Sequence, residues 1–194
     1  MTTVIKEFDA VSIKNASIQF FDNGVQQPGT PFGLLGSVEG ETEVIEIVKK
    51  AEGVEVKRKS KPIKMTNTVS GHIPVKVARD FFGLKADGLK PGVWSYGTLS
   101  AGKKFTFTAD VIDEFEDVVK LIAFPNCSDT AGFKIAVENG ADEVAMLELE
   151  FTALPDEAKQ IYYEALVDEL DDPTVAEKWH TKFERALVEP VPAP

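Results

Sequence analysis

Between residues 92 and 151 hydrophobic and polar positions alternate with a period of two, interrupted by turn residues. Phe105, Phe107, Ala109 and Val111 alternate with Thr106, Thr108 and Asp110, and Ala145, Leu147, Leu149 and Phe151 alternate with Met146, Glu148 and Glu150. That period belongs to strands with one buried and one wetter face. It predicts strands over residues 93–98, 103–112, 117–124, 133–137 and 143–152. Asn139-Gly140 separates the last two and is a strong hairpin signal, because both residues tolerate positive φ.

Upstream, residues 10–21 predict a first strand or strand pair. Residues 22–36 hold Gly24, Pro28, Gly29, Pro31, Gly33 and Gly36 and predict a long loop. Strands over 43–50 and 54–61 flank Glu52-Gly53, and residues 63–73 continue the sheet. Pro74 opens a short helix: Val77, Phe81 and Leu84 share a face, Lys76 and Asp80 are spaced to pair, and Gly83 begins its end. Strands surrounding one helix argue for a mainly β protein, an antiparallel sandwich or barrel-like subunit with an inserted helix, rather than alternating β-α units. Beyond residue 154 the period changes. Pro155 fits the first turn of a helix carrying Ala158, Ile161, Tyr162, Ala165 and Leu166 on one stripe. Asp172 caps a second, with Val175, Ala176, Trp179, Phe183, Ala186 and Leu187. The expected organisation is a β domain over 1–154, a C-terminal helical hairpin over 155–188 and a flexible Pro-rich tail over 189–194.

Composition is that of an ordinary globular chain: 194 residues, 43% hydrophobic and 27% charged. A chain of this length buries roughly two-thirds of its unfolded surface and needs neither disulfides nor metal to fold. The single cysteine, Cys127, excludes an internal disulfide framework and a multi-thiolate zinc cluster. Glu7 and Asp9 follow a first stretch with no apolar core, so no secretory leader is expected. No stretch approaches a membrane span.

The net charge of −11 weighs against nucleic-acid binding, which rests on Lys and Arg. The charge is uneven. From Pro155 onward ten Asp and Glu face four Lys and Arg, whereas residues 49–64 hold seven basic residues against Glu52 and Glu55. Lysines there either guard an edge strand against unwanted pairing or meet an acidic surface on another subunit, with Lys57, Arg58, Lys59 and Lys61 as candidates.

Candidate chemistry is sparse. His72 and His180 lie in different expected elements; a Cys127–His72 nucleophile pair is conceivable, but a lone cysteine after Phe-Pro-Asn is usually a small packing residue. Asp110, Asp113, Glu114, Glu116 and Asp117 form an acidic turn without the ligand spacing or central glycine of a calcium loop, so a solvated hairpin is the better reading. No glycine pattern matches a phosphate-binding fingerprint. Neither a catalytic residue, a metal site nor a cofactor is expected, and the chain does not read as an enzyme. Phe81, Phe82, Trp94 and Tyr96 would line a sugar-binding groove or serve as core and interface anchors; the latter is the usual fate of large aromatics.

Three runs carry a family resemblance: Gly-Val-Trp-Ser-Tyr-Gly at 92–97, Phe-Thr-Phe-Thr-Ala-Asp-Val-Ile-Asp-Glu-Phe at 105–115, and the stretch 121–151 from Leu-Ile-Ala-Phe-Pro-Asn-Cys to Leu-Glu-Leu-Glu-Phe. Together with the helix-bearing segment 71–84, they resemble the major tail proteins of long-tailed bacteriophages. The resemblance spans about residues 10–155 and is one of overall pattern. It implies a β-sandwich virion subunit that self-assembles into hexameric rings stacked as a tail tube. Such a tube encloses a tape-measure protein, joins tail-end proteins and conducts the genome without binding it specifically. Localisation would be the virion tail, reached from the host cytoplasm, with no membrane step. An acidic lumen would repel phosphate, with Asp110, Asp113, Glu114, Glu116 and Asp117 as candidate lumen charges, while Trp94 and Tyr96 join the lysines as interface candidates. Two alternatives stand beside it: another ring-forming tail component, or a monomeric carbohydrate-binding β-sandwich module.

Overall fold

In the computed structural model, which describes residues 5–135 and 144–190, the chain is mainly antiparallel β with a few short helices. The first strand, β1 (Ser12–Asp22), turns at Asn23-Gly24, both at positive φ, into the two-residue β2 (Val25–Gln26). β3 (Thr30–Pro31) also lies against β1. The long strands β4 (Leu34–Ala51) and β5 (Val54–His72) follow, joined at Glu52-Gly53, again with both residues at positive φ. These are the turn residues anticipated, and they close the hairpin because a two-residue connection needs that backbone to match strand twist. The expected strands fell short at one end: β4 begins at Leu34, inside the stretch expected to be loop.

Helix α1 (Val75–Phe82) starts after Pro74 and ends at Gly83, whose φ of 68° is the left-handed cap a glycine accepts freely. Val77, Phe81 and Phe82 turn inward. Then come β6 (Phe105–Asp113), β7 (Val118–Asp129), β8 (Leu147–Ala153) and β9 (Tyr163–Leu166). A 3-10 turn (Val167–Glu169), α2 (Pro173–Trp179) and α3 (Arg185–Val188) complete the described chain.

The strands run β2-β1-β6-β7-β8-β5-β4. β7 is the pivot. One edge pairs with β6 along its length, while the other pairs first with β9, at Lys120–Ala123, and then with β8, at Cys127–Asp129. The change of partner occurs around Pro125 and folds the sheet into two layers. Between them lies a core of phenylalanines: Phe151 sits 5.3 Å from Phe105 and 5.5 Å from Phe107 between ring centres, and Phe81 of α1 lies 5.3 Å from Phe105. A second cluster, Leu121, Ala123, Trp179 and Phe183, fills the outer face of β7 under the C-terminal segment.

Three expectations are corrected. Residues 93–98 form no strand: only Ser95 makes a bridge, to Lys85, in a stretch punctuated by Gly88 and Gly92 at positive φ. Residues 133–135 are outside any strand, and the expected Asn139-Gly140 turn lies outside the described residues. The first helix of the C-terminal hairpin is absent. Lys159 takes positive φ, the Asp156 carboxylate accepts from the Gln160 amide, and the chain enters β9 instead. The vacant edge of β7 offers backbone partners that an isolated helix of about three turns, marginal in water, does not match. The second helix starts with Asp172 capping Thr174 N, as expected, but stops at Trp179, and Phe183 and Leu187 reach the same cluster from separate segments.

The C-terminal segment is held by polar pegs on the outer face of β1 and β6. The Ser17 hydroxyl donates to the His180 carbonyl (2.6 Å), and the Gln19 side chain donates to Trp179 O and accepts from Phe183 N. The Trp179 indole donates to Ile122 O at 3.0 Å, and the Gly29 amide donates to Thr181 O at 2.8 Å. A Cβ at Gly29 would overlap the His180 carbonyl. Gly29→Ala is therefore expected to lift the segment, destabilising the chain by about 1–3 kcal/mol. Exchange of the Trp179 indole proton, followed by NMR, should accelerate selectively; unchanged protection would refute the docking.

Candidate assembly interface

β8 covers β5 only over Met65–Gly71. Beyond that row β4 and β5 continue as a two-stranded arm to the Glu52-Gly53 tip, and among the described residues no third strand joins it. Val44, Ile45, Ile47, Val48, Val54 and Val56 on the arm are all exposed. A bare two-stranded ribbon is marginal in water, and an apolar one with open edges is a template for pairing.

The register separates the arm's two faces, since residues opposite one another in an antiparallel pair project to the same side. Ile45 faces Lys61, Ile47 faces Lys59 and Lys49 faces Lys57. This side carries two isoleucines and four lysines. On the other side Glu46 faces Ser60 and Val48 faces Arg58. There the Arg58 guanidinium is enclosed by two carboxylates, donating to Glu46 at 2.9 Å and to Glu55 at 2.8 Å. These pairs raise the Arg58 pKa, Glu55 first, and hold Glu55 below the ordinary carboxylate range. Arg58 thus differs from its neighbours in the basic run. Lys57, Lys59 and Lys61 form no ion pair among the described residues.

Trp94 and Tyr96 are 41% and 46% exposed, and they diverge. Arg79 lies over the Trp94 ring, 4.4 Å from its centre, whereas Tyr96 packs on Phe133 at 5.5 Å, and Phe133 on Phe82 at 5.2 Å. Phe81 and Phe82 are buried. The four aromatics therefore do not line a common groove, the arrangement that the alternative reading as a carbohydrate-binding module would need.

The acidic turn divides in two. Asp110 is buried on the β6 face, accepting from Asn15 Nδ2 at 2.7 Å and lying 2.7 Å from His180 Nε2. The other ring nitrogen of His180 meets Thr108 Oγ1 at 3.0 Å. This clasp was not legible beforehand, because 70 residues separate its halves and His180 was expected mid-helix. Asp113 is enclosed too, its carboxylate accepting the amides of Asp9, Phe115 and Glu116. Neither Asp110 nor Asp113 presents a free charge to an open surface in the protomer, unlike Glu114, Glu116 and Asp117, which are exposed.

Cys127 is buried, its thiol donating to Phe124 O, and burial pushes its pKa well up. It does not engage His72, which is exposed at the end of β5. An open cleft of about 890 Å³ between the β1–β2 turn and α3 is lined by charges that, Glu157 apart, are already engaged: Arg185 with Glu189 and Tyr163, Lys182 with Glu184, and Asp156 with Tyr163.

No family model and no curated protein matches the chain. Among solved structures, the anti-feeding prophage cap, a tube-terminating cap, is 10% identical with a TM-score of 0.45, covering 84% of this chain and 95% of that one. A chain of the six-fold symmetrised anti-feeding prophage baseplate is 11% identical with a TM-score of 0.40, covering 82% and 97%.

The backbone amides of Asp9, Phe115 and Glu116 hold the Asp113 carboxyl below the ordinary range. A carboxylate so depressed contributes stability that is fully present above its unfolded value of about 3.9 and is lost as pH falls through its folded value. Asp113→Ala should lower the melting temperature at pH 7, and the gap from the unmodified chain should narrow below about pH 4. A gap independent of pH would exclude this role.

Proposed function

We propose that the chain is a structural subunit of a phage-type tail, assembling with copies of itself into rings that stack as a tube. The arm carries this reading. Its exposed aliphatic residues and open edges are explained by a partner chain and left unexplained in a free protomer. Closed symmetry satisfies such edges around a ring. The resemblance of residues 92–97, 105–115 and 121–151 to major tail proteins supports the same role, and so does the charge. A chain at −11 would repel a sliding phosphate backbone over a Debye length, about 8 Å at physiological ionic strength.

In this reading the ring is hexameric, the tube encloses a tape-measure protein and meets tail-end proteins, and the genome passes without specific contacts. The subunit performs no catalysis, and its working site is the set of surfaces that meet other copies: the arm first, with Trp94 and Tyr96 on a second surface.

Negative-stain electron microscopy and light scattering over a concentration series test the proposal. Hollow rings or tubes of uniform width are expected. A monomer at every concentration, unaltered by arm substitutions, would oppose it. Because Arg58 belongs to the closed face, the informative reversal is Lys57→Glu, Lys59→Glu and Lys61→Glu together. It should abolish assembly while leaving the circular-dichroism melt of the protomer within a few degrees; tubes of normal length from this variant would overturn the arm's role.

A further inference from the structure

The two faces of the arm require different things of a neighbour. The Arg58 face is electrostatically closed by Glu46 and Glu55. The opposite face presents Ile45 and Ile47 beside Lys49, Lys57, Lys59 and Lys61, cationic and uncompensated. Its complement is an apolar centre flanked by free acids.

One surface of this same chain has that form. The β6–β7 turn exposes Phe115 to 77%, an unusual position for a phenylalanine, and flanks it with exposed Glu114, Glu116 and Asp117. Its shape is preset, because Asp113 binds the backbone amides of Phe115 and Glu116 from within. A preformed loop loses little conformational entropy on docking. Among the described residues the turn acids make one ion pair, a long one between Lys14 and Glu114 at 4.0 Å. The acidic run near the C-terminus does not fit. There Glu169 accepts from the Ile5 amide, Asp172 caps α2, and Leu170 packs into the cluster around Trp179.

The register also sets their relative position. Met65 pairs with Ala153, Ala153 with Cys127 and Cys127 with Phe105, so these four residues form one row across the sheet. From that row β5 runs toward the arm tip in the same direction as β7 runs back toward the β6–β7 turn. Arm and turn therefore leave the molecule at the same end. Within one protomer none of Lys49, Lys57, Lys59 and Lys61 is ion-paired with the turn. A contact between two copies that joins one copy's arm to the other's turn uses two different surfaces, the heterologous kind that builds a ring where its rotation closes.

We propose that the isoleucine–lysine face of one copy's arm docks on the β6–β7 turn of the next copy around the ring. Phe115 seats against Ile45 and Ile47, and Lys57, Lys59 and Lys61 meet Glu114, Glu116 and Asp117. The inference rests on the self-assembly reading and gives the arm its partner; it assigns the exposed turn acids to the subunit contact and not to a lumen. Association should weaken with salt, because these pairs lie at the rim of the contact.

A charge swap in the full chain tests it. Reversing the arm (Lys57→Glu, Lys59→Glu, Lys61→Glu) or the turn (Glu114→Lys, Glu116→Lys, Asp117→Lys) should each abolish assembly by light scattering and microscopy. Combining the two sets should restore particles of the original width. Asp113 is untouched, so the turn keeps its frame. As a second route, Ile47→Cys with Phe115→Cys should give a ladder of disulfide-linked multimers on a non-reducing gel, and each single variant at most a dimer. Cys127 is buried and does not compete. If arm reversal blocks assembly but turn reversal does not and the combination fails to rescue, this partner is wrong while the arm-mediated reading stands. If arm reversal leaves assembly intact, both fall. A chain that stays monomeric and yields no ladder from the double cysteine variant also overturns both.

Discussion

The change of partner along β7 is the constraint on which the rest of the architecture depends. Proline has no amide hydrogen to give a ladder, so a strand containing one can release a neighbour at that point with little loss. Pro125 sits where β7 leaves β9 and takes up β8. Across from it, the β6 ladder is irregular between Phe105 and Phe107, and Thr106 turns its hydroxyl to the Pro125 carbonyl at 2.9 Å. Asn126 holds the exit of β8 through Leu154 N and Pro155 O. Buried backbone groups freed by the bend are thereby satisfied within the protein. The layer built on β8 ends at this row, and β4 and β5, which do not end there, become an arm.

The same bend explains why β1 and β6 are buried on both faces. Inward, Ile18, Phe20, Phe105 and Phe107 enter the phenylalanine core; outward, Ser17, Gln19, Thr106, Thr108 and Asp110 lie under the C-terminal segment. Polar residues at those depths are tolerable because each has a partner: Ser17, Gln19, Thr108 and Asp110 meet main-chain groups of the segment between Trp179 and Phe183 or the His180 ring, and Thr106 meets the Pro125 carbonyl. That face is thus matched to one particular segment, whereas a greasy face would accept many.

Legibility followed the range of the forces involved. Strands β1, β6, β7 and β8, helix α1 with its Gly83 cap and the Glu52-Gly53 turn depend on local alternation and turn chemistry, and all were readable in the chain. The C-terminal region was not. Ile161, Tyr162, Ala165 and Leu166 fit a helical stripe, but Tyr163 and Ala165 equally fit a strand, and short apolar runs do not discriminate. The free edge of β7, a tertiary fact, decided between them. At Trp94 and Tyr96 the alternation was real, yet turns on one side and Arg79 and Phe133 on the other won over sheet pairing. Within the basic run the charge was legible but its two-sidedness was not: only the pairing register shows that Arg58 shares a side of the arm with Glu46 while Lys57 and Lys59 lie on the other with Ile47.

That two-sidedness reconciles two roles for the lysines that looked like alternatives. A long exposed hairpin invites edge-to-edge pairing with its own kind, and nature blunts such edges with charge, proline and bulges. The arm carries all three: its lysines, Pro62, and breaks in register between Glu43 and Val44 and between Lys49 and Lys50. Two arms meeting on their lysine faces would bring like charges together, an arrangement that costs several kcal/mol across an interface. The symmetric arm-to-arm dimer is disfavoured, and the contacts left open are with a surface of opposite sign. Specificity of this kind comes as much from the excluded partner as from the accepted one. In the proposed assembly, protecting the free arm and selecting a head-to-tail neighbour would be two consequences of the same lysine face, before association and after it.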